Sequence, residues 1–131
     1  QLGDDAIVIQ DRSVYREVFN LHARATDLAD PAKRPAIVEF VRAVARATAA
    51  LQANQEPYWP QVSELITYSV EEIGDSWAEM EFPIHIIPDM LDVLVTEEDW
   101  VAKERNRASR SREELATFID RTVVTEALSS L

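Results

Sequence analysis

The chain has 131 residues, of which 47% are hydrophobic and 28% are charged, a composition typical of a globular protein rather than a disordered one. It has no cysteine, which excludes disulfides, thiolate metal sites and cysteine nucleophiles, and its two glycines leave no glycine-rich phosphate loop. The net charge of −11 disfavours nucleic acid as a partner. No apolar run approaches the roughly 20 residues of a membrane span, and no signal peptide is recognisable.

Two short β-strands are predicted near the N-terminus. Residues 6–9 form a β-branched apolar run, which is typical of a strand buried on both faces. Residues 19–26 alternate between apolar and polar side chains, which is typical of a half-buried strand. The apolar positions of the second strand are Phe19, Leu21, Ala23 and Ala25. Because two strands alone form only a marginally stable ribbon, we expect them to pair with further strands.

Five to six helices are predicted in the rest of the chain, so the expected fold class is mainly α with a small β element. The longest helix follows Pro31 and Pro35, because proline suits a first helical turn and apolar residues then recur every three or four positions to Leu51. Ser69 and Ser111 each precede a glutamate by three residues, which predicts two helices that begin with capping boxes. Other helices are predicted within residues 55–69 and 88–107 and, as a turn or two, within 120–131.

Acidic residues are unevenly distributed along the chain. No lysine or arginine occurs between Arg46 and Lys103, whereas the same stretch holds twelve of the 24 acids. We expect a solvated acidic face, for which docking of a basic partner is the functional alternative. The run that includes Glu97 and Glu98 is predicted on the outer face of a helix.

No catalytic or metal-binding motif is recognisable, so we predict neither an enzyme nor a cofactor or metal site. His22 and His85 do not have the spacing of a metal-binding pair. A basic set follows the last long helix, where the helix dipole favours cations: Lys103, Arg105, Arg107, Arg110 and Arg112. Core packing is the expectation for the aromatic residues, and the adjacent Tyr58 and Trp59, which lie between two prolines, are the pair for which display at the surface to a ligand or partner is the alternative.

The order of the elements resembles one known family. The stretches "LADPAKR", "IVEFVRAVARATAAL", "DMLDVLVTEEDWVAKE" and "LATFIDRTVVTEAL" follow one another as in the C-terminal part of substrate-binding proteins of the nitrate/sulfonate/taurine-type ABC importers. The resemblance extends over about residues 6–128 and rests on apolar patterns with a few fixed letters. It implies the C-terminal segment of a type II periplasmic binding-protein fold. Residues 1–131 would then be one domain, the C-terminal fragment of a longer two-lobed α/β protein, whose upstream strands pair with residues 6–9.

The resemblance also implies a function. Such a protein captures a small anion, such as a sulfonate or nitrate, by hinge closure without chemistry and delivers it to an ABC permease outside the cytoplasmic membrane. The expected ligand-binding stretch is the loop after the first strand, which holds Arg12, Ser13 and Tyr15. There Arg12 would pair with the anion and Tyr15 would pack on it.

The alternative function is a free-standing helical module that binds a basic protein partner through the acidic face. Its predicted contact residues are Tyr58, Trp59, Glu97 and Glu98. An unpaired apolar strand is also prone to edge-to-edge association, so a homodimer through residues 6–9 is a further expectation.

Overall fold

The computed structural model describes residues 7, 11, 14 and 16–129. In this part of the chain the fold is mainly helical, as predicted, but it has seven α-helices rather than five to six, and no β-strand. The helices are α1 (Ala25–Ala29), α2 (Arg34–Ala53), α3 (Trp59–Leu65), α4 (Val70–Trp77), α5 (Met90–Glu104), α6 (Arg112–Ala116) and α7 (Thr122–Leu128). A 3-10 turn, Glu56–Tyr58, leads directly into α3.

The strand predicted over residues 19–26 is wrong. Residues 16–24 have no regular secondary structure, and α1 begins at Ala25. A strand needs a neighbour to satisfy its backbone N–H and C=O groups, and the described residues provide none beside this segment. Of the other predicted strand, residues 6–9, only Ile7 is described, with its side chain exposed. That strand and the homodimer predicted through it therefore lie outside the described residues.

Helix α2 forms where the sequence predicts the longest helix. The Asp30 carboxylate accepts a hydrogen bond from the Ala32 N–H at 2.8 Å and orders the turn that precedes the helix. Pro35 lies in the first turn, where its missing N–H leaves no helical hydrogen bond unmade. The helix ends at Ala53, and the Asn54 N–H donates to the Ala50 carbonyl. Local sequence signals therefore set both ends of this helix.

Helices α2 and α7 pack together. Val38, Val123 and Ala127 form the buried cluster between them. At the start of α2, Arg34 contacts two residues of α7, Glu126 at 2.9 Å and the Thr122 hydroxyl at 3.2 Å. Further along α2, the Arg42 Nε donates to the Ala127 carbonyl at 3.1 Å. Ala127 lies in the last turn of α7, where a cation hydrogen-bonds the last carbonyl groups and interacts favourably with the helix dipole. Arg34 and Arg42 thus add polar contacts to the small apolar interface between α2 and α7.

Helix α1 packs on α2, and the remaining helices form two local pairs, α3 with α4 and α5 with α6. The capping box predicted at Ser69 is confirmed: its hydroxyl accepts from the Glu72 N–H at 3.2 Å, and the Glu72 carboxylate accepts from the Ser69 N–H at 2.8 Å. At the start of α6, Ser111 accepts from the Glu114 N–H at 3.1 Å, which is one of the two hydrogen bonds of the capping box predicted there. Arg112 joins α6 to α5 through Asp92 at 2.7 Å.

Candidate functional site

The three predicted ligand-binding residues, Arg12, Ser13 and Tyr15, lie outside the described residues. The described neighbour is Arg16, whose guanidinium contacts the Asp89 carboxylate at 2.8 Å. Asp89 immediately precedes α5, so this ion pair joins the N-terminal segment to the start of that helix. Both side chains are about half exposed, and a surface pair of this kind contributes little to stability.

Glu98 is part of an ion cluster at the C-terminal half of α5. Its side chain is only 8% exposed. The carboxylate accepts from the two terminal guanidinium nitrogens of Arg107, Nη1 and Nη2, the latter at 2.9 Å. It also accepts from the Arg110 backbone N–H at 2.9 Å and from Arg110 Nη1 at 3.2 Å. The prediction that Glu98 faces solvent is therefore wrong, because two arginines from the following loop cover it.

The hydrogen bond from Arg107 and that from the Arg110 backbone lower the pKa of Glu98 to about 2. The same contact with Glu98 raises the pKa of Arg107. A carboxylate held ionised by several donors has no proton to give near neutral pH, so this cluster is unsuited to general acid catalysis. The cluster of Glu98, Arg107 and Arg110 holds the loop that leads to α6 against α5, and we call it the latch.

The backbone after α5 explains why Arg107 reaches Glu98. Asn106 has a φ of 50°, the left-handed conformation that ends many helices. The Asn106 N–H donates to the Lys103 carbonyl at 3.1 Å, and the Arg107 N–H donates to the Ala102 carbonyl at 3.0 Å. These two bonds are those of a Schellman motif, which reverses the chain and directs it back along the helix. The basic set therefore includes two arginines with a specific partner.

The predicted aromatic pair is divided between surface and interior. Tyr58 is exposed, whereas Trp59 is half-buried and packs on Trp77, with ring centroids 6.1 Å apart at 56°. Trp77 in turn stacks on Phe82 at 5.0 Å and 26°. A Cβ atom at Gly74 would lie 3.2 Å from the Trp59 ring, so the absence of a side chain there lets the indole approach α4 closely. Trp59 therefore follows the expectation of core packing, and of the two residues Tyr58 is the one displayed at the surface.

The acidic stretch is mostly solvent-exposed. Glu97 and Glu72 are half-buried and Glu98 is buried, while the other nine acids between Arg46 and Lys103 are exposed. His22 and His85 are also exposed, and the described residues contain no group of three or more histidine and carboxylate side chains that could hold a metal ion. No helix among the described residues combines the length and apolar character that crossing a membrane requires.

Large apolar side chains are uncovered on several elements. Phe19 and Leu21 are 87% and 62% exposed, and Leu65 at the end of α3 is 85% exposed. Phe40 and Val44 on α2 and Trp100 on α5 are exposed as well. The sequence did not indicate which apolar side chains would be exposed. A helical repeat of apolar residues shows that an apolar face exists, but not which element packs on it.

Two depressions lie on this surface. One, of about 330 Å³, is lined by residues of α7 and by the residues directly before and after it, namely Arg121, Thr122, Thr125, Glu126 and Ser129. Its polar groups already have partners within the chain, since Arg34 binds Glu126 and the Asp120 carboxylate accepts from Thr122. The other, of about 220 Å³, is an apolar groove between α2 and α3.

Comparisons of the chain with protein-family models, with characterised proteins and with solved structures find no match. The resemblance to ABC importer substrate-binding proteins therefore stays a prediction.

Proposed function

We propose that the chain is part of a solute-binding protein of the nitrate/sulfonate/taurine type, which captures a small anion and delivers it to an ABC permease outside the cytoplasmic membrane. The observation that carries this proposal is the segment before α1. Phe19 and Leu21 have the alternation of a half-buried strand, yet both are largely exposed and no strand lies beside them in the described residues. Burying a Phe or Leu side chain contributes roughly 1.5–3 kcal/mol, so such a segment gains stability from a sheet that covers it.

The resemblance supplies such a sheet. In a two-lobed α/β binding protein, a strand directly before a long amphipathic helix belongs to a sheet whose other strands come from elsewhere in the same polypeptide. The order found here is the segment containing Phe19, then α1, then α2 with its exposed Phe40 and Val44. Both apolar surfaces would be covered when the remaining lobe is present. This coincidence favours the larger protein over a free-standing helical module.

The proposed mechanism is binding and closure without bond chemistry. Arg12 would form a charge-assisted hydrogen bond to the anion, and Tyr15 would pack against it, as the resemblance implies. Closure of the two lobes would then exclude water and present the loaded conformation to the permease. No proton transfer is required, which fits the ionised, fully engaged state of Glu98.

The test is the thermal stability of the complete native gene product with a panel of anions: taurine, an alkyl sulfonate, nitrate and sulfate. A ligand at about 100 times its Kd stabilises the folded state by about 2.7 kcal/mol, which is readily seen as a shift in melting temperature. Arg12→Ala should abolish the shift, whereas Arg24→Ala, an exposed arginine at the start of α1, should retain it. A melting temperature that no anion raises would contradict the proposal.

A further inference from the structure

The apolar groove between α2 and α3 has the form of a docking surface for a helix. It is lined by Ala47, Ala50, Leu51, Tyr58, Gln61, Val62 and Leu65. On the α3 side, the lining positions are three, four and seven residues apart, so they form one continuous face. On the α2 side, Ala47 and Ala50 are small enough for a second backbone to approach closely. Gln61 is the single polar side chain in the lining.

Exposed apolar side chains follow the groove-lining residues along the chain. After Leu65 they are Ile66, Tyr68 and Val70, between the end of α3 and the start of α4. Exposed apolar side chains that lie close together are a common feature of protein-binding surfaces.

Charge indicates what kind of helix fits. Glu56 and Glu64 lie on the elements that line the groove, Glu71 lies at the start of α4, and all three are exposed. The exposed base next to a lining residue in the sequence is Arg46, which precedes Ala47 on α2. From there to Lys103 no lysine or arginine occurs, so the three acids outnumber it. An anionic partner would be repelled, whereas a cationic one gains both affinity and association rate.

We propose that this groove binds an amphipathic helix from another protein, with apolar residues at i, i+3 or i+4, and i+7 in the groove and lysine or arginine on its flanks. The inference goes beyond solute capture and does not depend on it. It also differs from the docking surface expected from the sequence, because Glu98 is engaged by Arg107 and Trp59 packs on Trp77. Of the four residues predicted to contact a partner, Tyr58 is the one that lines the groove.

The test uses this chain and a fluorescent peptide of about 18 residues built from leucine and lysine in an amphipathic helical pattern, long enough to fold on binding. Fluorescence anisotropy should show saturable binding. Leu65→Ser should weaken it about tenfold or more, because it removes the most exposed apolar side chain of the groove. Phe118→Ser is the matched control, since Phe118 is similarly exposed but does not line the groove, and it should leave the affinity unchanged.

A second pair of variants separates the groove from general attraction to an acidic chain. Glu64→Lys and Asp99→Lys change the net charge equally, and both residues are exposed. Only Glu64→Lys should weaken binding about tenfold. Equal weakening by both variants, or by Leu65→Ser and Phe118→Ser, would overturn the proposal. So would a dimer, measured by light scattering, that Leu65→Ser dissociates, because a second copy would then occupy the groove. The anion experiment on the full product is unaffected by any of these outcomes.

Discussion

Truncation of two valines on α2 tests which face of this helix is covered. Val38 is 3% exposed in the interface with α7, whereas Val44 on the same helix is 37% exposed. Val→Ala removes two methyl groups, worth about 1.6 kcal/mol when fully buried, and leaves a cavity that adds to the loss. The better helix propensity of alanine returns about 0.6 kcal/mol at either position. We therefore expect Val38→Ala to lower the free energy of unfolding by about 1–2 kcal/mol and Val44→Ala to change it by less than about 0.5 kcal/mol.

The assay is urea denaturation followed by circular dichroism, with the slope of the transition used to check that both variants unfold in the same manner. Because the same substitution is made in the same helix, the difference between the two variants reports burial rather than propensity. Equal losses at Val38 and Val44 would refute the reasoning. The face of α2 that carries Val44 would then be covered, and the surface assigned here as uncovered would not exist in the isolated chain.

Three further predictions concern the ion cluster and the helix ends. Because the pKa of Glu98 is lowered from 4.5 to about 2, the cluster stabilises the folded chain fully above about pH 4.5 and loses this effect as the pH falls toward 2. Glu98→Gln should therefore remove this part of the dependence of the melting temperature on acid pH. An unchanged dependence would contradict the latch. Asn106 has a left-handed backbone conformation, so Asn106→Val should lower the free energy of unfolding by about 1 kcal/mol and Asn106→Gly should leave it unchanged. Thermal unfolding of both variants measures this difference. Ser69→Ala should cost about 1 kcal/mol in urea denaturation by removing the capping box with Glu72, and no loss would contradict the cap.

Elements governed by local rules could be predicted from the sequence. Pro35 and the apolar period identify α2, and the Ser69–Glu72 spacing identifies the start of α4, because each signal acts within one or two helical turns. The non-helical link between α4 and α5 also agrees with its prolines, Pro83 and Pro88, since proline disfavours helix at the preceding residue. In these cases neighbouring residues supply the decisive interactions.

The segment around Phe19 could not be predicted in this way. Its alternating side chains favour a strand, but a strand forms only when another backbone accepts and donates its hydrogen bonds. That partner is not present in the described residues, so the segment has no regular structure and α1 begins at Ala25. The sequence pattern therefore reports an intrinsic preference, and the structure reports what these residues can satisfy without further strands.

The burial of Glu98 depends on contacts with residues that follow the turn at the end of α5. Its position on α5 favours exposure, but the left-handed backbone at Asn106 turns the chain back and places Arg107 and Arg110 over the carboxylate. A similar contact explains Trp59, whose burial requires the missing side chain at Gly74. Neither effect produces a periodic signal, because each arises from a single residue at a special position.

The central claim is that the segment with Phe19 and the exposed face of α2 belong to a larger polypeptide. The most direct measurement is the intact mass of the native gene product in its source cells, detected with an antibody raised against this chain. The proposal predicts a mass about twice the 14.9 kDa of this chain or more, as a two-lobed α/β protein requires. A product near 14.9 kDa would contradict it, because the uncovered apolar surfaces would then have to be covered by a separate protein.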